Sequence, residues 1–349
     1  MIRLPSEVGD RGRSRSIPAS PAGRRTHWLV VGVLAATVAA MVLAVDPRRF
    51  AEAMARFNPR VVPAVLGLSI VIFLFQGLRW HGLLRQAGVR LGLGDSVLLN
   101  TAGQAITAIL PLGDLTRAIL ASRAARANFG TVAATVTVQE LAYSLVLVVA
   151  AGPVLILTRH GVWILLAVLA GIVVVLALLT VGRLFCLVHR LVARTPLLRR
   201  LLGQIEGLHQ ETAMLLHRPE TTAWSVLDAA RGAAAISIVW LIVEGLDPGA
   251  LGWWQAAFVL SLSSLGGAIS LIPGGAGASE ASTVGLLLLF DVDPATAAAA
   301  ALMQRLVTTG LPSLFGWGAY AVARRRFELG SMLELPPAVP RAAPCEEVA

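Results

Sequence analysis

Two stretches of this chain place Pro-x-Gly inside apolar sequence and then present a carboxylate: Gly103–Asp114, GQAITAILPLGD, and Gly267–Glu280, GAISLIPGGAGASE. Around them lie runs of spanning length: His27–Val45, Val61–Leu78, Thr131–Thr158, Gly161–Val181, Thr222–Gly245 and Ala295–Ala323. A backbone group without a hydrogen bond in hydrocarbon is so costly that broken helices persist only against protein or a water-filled cavity. Interrupted segments in corresponding positions of two halves therefore point to a transporter's substrate site.

With 56% hydrophobic and 14% charged residues among 349, the chain reads as an all-α integral membrane protein. About six full spans and two broken segments, Asp95–Ala125 and Leu251–Phe290, are expected. Each broken segment is either a re-entrant hairpin or two complete crossings. Met1–Thr26, rich in Arg, Ser, Pro and Gly, reads as a disordered cytoplasmic tail, 27–326 as the membrane domain, and 327–349 as a loose tail.

All 29 basic residues are Arg, so lysine Schiff-base and phosphate-loop chemistry are excluded. The net charge of +9 does not point to nucleic acid, because the arginines cluster beside hydrophobic runs as cytoplasmic anchors do. The only cysteines, Cys186 and Cys345, have no paired spacing, and the six histidines form no metal motif. No disulfide framework, metal or cofactor is expected.

Arg79, Arg85 and Arg90, then Arg117, Arg123 and Arg126, the arginines of 183–200, and Arg324–Arg326 all fall inside if both termini are cytoplasmic. The loop Asp46–Arg60, with four arginines, then falls outside against the rule. In this topology the first broken segment opens to the cytoplasm and the second to the exterior. Val138-Gln139-Glu140-Leu141 and Met303-Gln304-Arg305-Leu306 follow the two prolines at similar distance, which makes an inverted-topology repeat the expectation. The connection 183–220 reads as an amphipathic helix on the cytoplasmic leaflet or as a helix packed on the bundle. Trp28, Trp80, Trp163, Trp224, Trp253 and Trp254 fall near span ends, as an interfacial belt requires.

Ionisable groups at bilayer depth are functional candidates by default. Asp114 and Arg117 follow the first Pro-x-Gly, Glu280 follows the second, and Glu140 and Arg305 hold matching repeat positions. Asp228 and Arg231 lie three apart, on one helical face, and suit a structural ion pair. Glu244 lies near the outer end of its span. Half-helix N-termini expose N–H groups and a positive dipole end, which suits a phosphate assisted by Arg117 or Arg305. Gly274, Gly275 and Gly277 permit left-handed backbone, but no lysine or strand makes LIPGGAGASE a nucleotide loop. Asp291-Val292-Asp293 before Pro294 reads as a turn and helix cap.

ILPLGDLTRAIL (Ile109–Leu120), LIPGGAGASEAS (Leu271–Ser282) and ALMQRL (Ala301–Leu306) resemble the lysylphosphatidylglycerol synthase transmembrane family, also called flippase-like domain proteins. The resemblance extends over Val61–Arg326. It implies a multi-pass protein of a bacterial or archaeal plasma (inner) membrane that moves a lipid between leaflets. That lipid is aminoacylated phosphatidylglycerol in the best-known members and hopanoid or polyprenyl-linked in others. Pro111, Gly113, Asp114, Arg117, Pro273, Gly275, Gly277, Glu280 and Arg305 fall on the family pattern, with Gly274 beside them. Bifunctional members carry a C-terminal synthase domain that this sequence is not expected to have, so a separate lipid-synthesising enzyme is the expected partner. The helix after the first motif usually carries Arg followed by Asp. Here it reads Gln139-Glu140, with Glu140 a candidate to pair with Arg305. A flippase is the leading expectation, ahead of a transferase on polyprenyl-phosphate substrates and a non-catalytic subunit of a lipid-synthesis complex.

Overall fold

The computed structural model describes residues 47–106, 114–157, 161–182, 184, 186, 202–270 and 273–327. Both tails, the His27–Val45 run, Pro111 and Gly113 lie outside the described residues. All regular structure among those described is helical, as expected of an all-α membrane protein.

The helices are α1 (Pro47–Arg56), α2 (Val62–Gln86), α3 (Leu93–Gly103, extended by a 3-10 turn Gln104–Ile106), α4 (Leu115–Ala124), α5 (Phe129–Leu157) and α6 (Gly161–Thr180). After them come α7 (Leu202–Leu216), α8 (Pro219–Leu246), α9 (Trp253–Ile269), α10 (Ala278–Leu288), α11 (Pro294–Arg305) and α12 (Leu311–Phe327). Pro59–Gln86, Phe129–Leu157, Gly161–Leu178 and Pro219–Leu246 are each long and apolar enough to span. Helices α11 and α12 are joined through a π-helical segment, Leu306–Gly310, and together form a further long helix.

Helix length decides between hairpins and double crossings. Helix α3 has 11 residues, α4 has 10 and α10 has 11. At 1.5 Å per residue such arms reach about 15–16 Å, half of the ~30 Å hydrocarbon core. Three of the four arms are therefore too short to cross alone, while α9, at 17 residues, reaches about 25 Å. The short arms favour the re-entrant alternative for both segments.

The order helix–hairpin–helix occurs twice, as α2, α3/α4, α5 and as α8, α9/α10, α11–α12. The two opening helices run antiparallel. Asn58 N–H donates to Gly245 O (2.7 Å) at one end, and Arg218 Nη1 donates to Gln86 O (3.0 Å) at the other. Each hairpin's first arm packs against the closing helix of the other unit, α3 on α12 and α9 on α5. The second contact is tied by Ser261 Oγ donating to Leu147 O (2.7 Å). This reciprocal exchange is the packing of an inverted repeat.

Several sequence expectations are corrected. The loop 46–60 that breaks the positive-inside rule contains α1, whose Ala53, Phe50 and Met54 join the hydrophobic cluster of α8, α9 and α11 while Arg48 and Arg49 stay exposed. Of the two readings of the 183–220 connection, the structure shows the packed helix: α7 lies on α5 and α6. Leu215 is buried with Leu83, Ala134 and Val138, and Thr131 Oγ1 donates to Glu211 Oε1 (3.2 Å). Trp80 is fully buried, its indole N–H donating to Thr135 Oγ1 (2.9 Å), whereas Trp163 and Trp254 are exposed as belt residues should be. Cys186 is disulfide-bonded, which cysteines without paired spacing did not signal.

Helix α12 crosses the tip of the first hairpin at Gly316, where a Cβ would collide with the backbone of Ala105. Backbone cannot yield as a side chain can. Gly316→Val is expected to destabilise the protein by about 1–3 kcal/mol or more. Gly318→Val, with nothing within 4 Å, should leave it unchanged. Thermal unfolding in detergent compares the two.

Candidate functional site

The N-terminus of α4 carries Arg117 into the centre of the first unit. Gly103, the last residue of α3, lies so close that a Cβ there would stand 2.6 Å from Arg117 Cβ. This contact clamps the hairpin arms together and fixes where the guanidinium emerges. Arg117 is wholly buried. Its Nη1 donates to Asn100 Oδ1 (2.8 Å) and Gln139 Oε1 (3.2 Å), and its Nη2 to Glu140 Oε1 (2.6 Å). Gln139 Nε2 donates to Gln76 O (3.0 Å), which ties α5 to α2.

The same oxygen of Glu140 also faces Arg231 Nη1 of α8 at 3.4 Å. The Arg231 guanidinium lies 3.9 Å from the ring centroid of Tyr143, over its face. Asp114, at the start of α4, is an electrostatic neighbour of Arg117, Arg231 and Glu140, and its side chain is bonded to Gln104. Four elements thus converge on one network, and its exposure is uneven. The Arg117 side chain is 0% accessible, that of Arg231 11% and that of Glu140 29%. Of these three side chains, Glu140 is the most accessible.

The second unit builds a different arrangement from matching positions. Gly274, Gly275 and Gly277 all have positive φ (60°, 63° and 85°), a path closed to most L-residues without strain, so the turn needs its glycines. Glu280 Oε2 accepts from Gly277 N–H (2.7 Å) and from Ser279 Oγ (3.0 Å), capping α10. Arg305 Nε lies 3.1 Å from Glu280 Oε1, and its Nη1 donates to Gly274 O (2.7 Å). The helix N-terminus expected to receive a phosphate is therefore occupied by the protein's own carboxylate. The π-helical segment begins directly after Arg305, an irregularity frequent at functional sites.

Residue position links the two units. Counted from Leu115, Arg117 is third in α4, and Glu140 is twelfth in α5 counted from Phe129. Glu280 is third in α10, and Arg305 is the twelfth and last residue of α11. Each pair bolts the second arm of a hairpin to its own closing helix, with the signs exchanged.

Two pairings expected from sequence are corrected. Glu140 pairs with Arg117 and Arg231, not with Arg305 across the repeat. Asp228 pairs with Arg79 of α2 (Nε–Oδ2 3.0 Å), not with its helix neighbour Arg231. Arg79 counted among the cytoplasmic anchors because the apolar run stops at Leu78. Helix α2 continues to Gln86, so Arg79 is buried. Asn100 and Tyr143 also went unnoticed, since a lone amide or phenol in an apolar run carries no spacing signal. Among the sequence candidates, Pro273 lies in the second tip, while Pro111 and Gly113 fall outside the described residues. Glu244 accepts from Gly249 N–H (3.0 Å), and Asp293 caps α11 through Ala295 and Thr296 N–H. No group of His, Cys, Asp and Glu suited to a metal occurs among the described residues.

Residues 28–316 match the family described as the lysylphosphatidylglycerol synthase TM region. The chain belongs to that family. It is also similar to a UPF0104 membrane protein of Methanothermobacter thermautotrophicus, at 24% identity over 321 residues, covering 83% of this chain and 93% of the relative. The family match runs through both hairpins and both ion-paired networks, and it gives the chain a membrane lipid-related role.

The Arg79–Asp228 pair is almost fully buried. Removing one partner from such a pair strands a charge at a cost of about 3–5 kcal/mol, whereas replacing both by apolar residues is often neutral. Asp228→Leu should sharply lower the yield of folded protein and its melting temperature. The double variant Arg79→Leu/Asp228→Leu should recover most of both, as read by size-exclusion chromatography and thermal unfolding.

Proposed function

We propose that this protein moves a lipid headgroup between the leaflets of the plasma membrane, using the space between its two hairpins, and that it performs no covalent chemistry. The observation that carries this reading is the pair of re-entrant hairpins, each fastened to its closing helix by a matched ion pair at bilayer depth. Broken helices and paired charges at the interface of inverted units are the equipment of alternating access. Glu140, Asp228 and Glu280 are each engaged by an arginine, which leaves them poorly suited to act as a general base.

Charge balance narrows the cargo. Arg79, Arg117, Arg231 and Arg305 are matched by Asp114, Glu140, Asp228 and Glu280. A bare anion would have to displace a carboxylate and leave it stranded. A headgroup carrying both phosphate and ammonium, such as an aminoacylated phosphatidylglycerol, offers a new partner to each member of an opened pair. The Glu140–Arg231 contact is the natural one to open, being longer and more accessible than Glu140–Arg117. The lipid itself would come from a separate enzyme.

Purified protein reconstituted into vesicles with a headgroup-labelled phospholipid tests this, with transfer followed by loss of label to a membrane-impermeant quencher. Charge-assisted hydrogen bonds are worth about 1.5–3 kcal/mol, so the neutralised double variant Glu140→Gln/Arg231→Gln should transfer at least about tenfold more slowly. Because Glu140→Gln also takes the carboxylate from buried Arg117, the variant's melting temperature is expected to fall. Transfer is therefore compared per folded protein, with the folded fraction read by size-exclusion chromatography. Transfer by this variant at the original rate would overturn the reading.

A further inference from the structure

A second cluster of cations lies away from the two hairpin networks. Between the C-terminal end of α2 and the start of α3 is a cavity of about 650 Å³, lined by His81, Arg85, Val89, Arg90, Leu91 and Leu93. The chain turns there through Gly88, whose φ is +75°. Arg85 and Arg90 are exposed and have no ion-pair partner among the described residues. The neighbouring carboxylate, Asp95, is held instead by Arg326 at the end of α12, at 2.8 Å. His81 lines the same cavity. Ser96 Oγ donates to Gly92 O (3.0 Å) and lies 3.0 Å from His81 Nδ1, so Nδ1 carries the proton in that contact and Nε2 is left as an acceptor.

Apolar residues complete the lining. Leu93 is 49% exposed and Val89 and Leu91 lie beside it. The placement is interfacial, since α2 ends at Gln86, where Arg218 and Thr221 at the start of α8 hold its last carbonyl and side chain. The arginine distribution puts this end of both helices on the cytoplasmic side. A cavity lined by unpaired arginines and by apolar residues, at the end of a spanning helix, matches a phosphate ester attached to something greasy. Two planar guanidinium groups suit the oxygens of a phosphate, and the leucines suit the glycerol backbone and upper acyl chain.

The geometry points to a binding site for the phosphate of an anionic phospholipid of the cytoplasmic leaflet, formed by Arg85 and Arg90. The site stands apart from the transfer reading, because none of its residues belongs to the hairpin networks. A soluble phosphate ester would share the chemistry of recognition but would make no use of the apolar lining.

Full-length protein in a neutral detergent can be titrated with short-chain phosphatidylglycerol, with the corresponding phosphatidylcholine, and with inorganic phosphate, with occupancy read by native mass spectrometry. Phosphatidylglycerol is expected to bind most tightly and to resist displacement by millimolar phosphate. A basic residue at the membrane surface contributes about fivefold, so Arg85→Gln/Arg90→Gln should weaken binding by about thirtyfold. Both side chains are exposed, and the fold should not suffer. Arg324→Gln/Arg325→Gln removes two exposed arginines of the same face outside the cavity, and this variant should bind as the unaltered protein does. Unchanged affinity in the cavity variant, or equal loss in the two double variants, would overturn the site. Phosphate binding as tightly as phosphatidylglycerol would overturn the lipid as its ligand.

Discussion

A guanidinium at bilayer depth is tolerated when a carboxylate or a set of acceptors meets it, and the architecture of this protein is arranged to supply them. Arg117 has an amide from α3, an amide and a carboxylate from α5, and the Trp80 ring centroid 5.6 Å away. These contacts hold a hairpin arm of only ten residues, too short to be stable alone in water, against the rest of the bundle. The glycine contact between the arms and the ion pair to the closing helix act together. Gly103 sets the separation of the arms, and Glu140 fixes their orientation.

The second hairpin uses the same positions for a tighter local purpose. Glu280 caps its own helix and holds Arg305, which in turn bonds the glycine turn. Opening that assembly would release a helix cap, an ion pair and a carbonyl contact at once. The Glu140–Arg231 contact of the first network can open while Arg117 keeps its other partners. The two units are thus alike in topology but unequal in how readily their charges can be exchanged, with the softer element in the first unit.

Much of this was legible in the sequence. Proline and glycine inside apolar runs marked both hairpins, the Gln139 and Gln304 echoes marked the repeat, and arginine placement gave the hairpins opposite entrances. What the sequence left open was decided by helix ends and partners. Hairpin or double crossing depended on where α3, α4 and α10 stop, and hydropathy does not report that. Arg79 looked like an anchor because the apolar run ends one residue earlier, yet the helix continues past it. Asp228 and Arg231 have the spacing of a helical pair, but each meets a better-placed partner on another helix, and local spacing cannot see across the bundle.

The exchanged signs of the matched pairs bear on how the protein meets an electric field. A two-fold axis in the membrane plane reverses any component along the membrane normal, so identical pairs in the two units would form opposing dipoles that cancel. Exchanging acid for base reverses one of them again. For units related by such an axis, the dipoles of Arg117–Glu140 and Glu280–Arg305 would add along the normal instead of cancelling. A membrane voltage would then act on both hairpins in the same direction even though the halves share one plan.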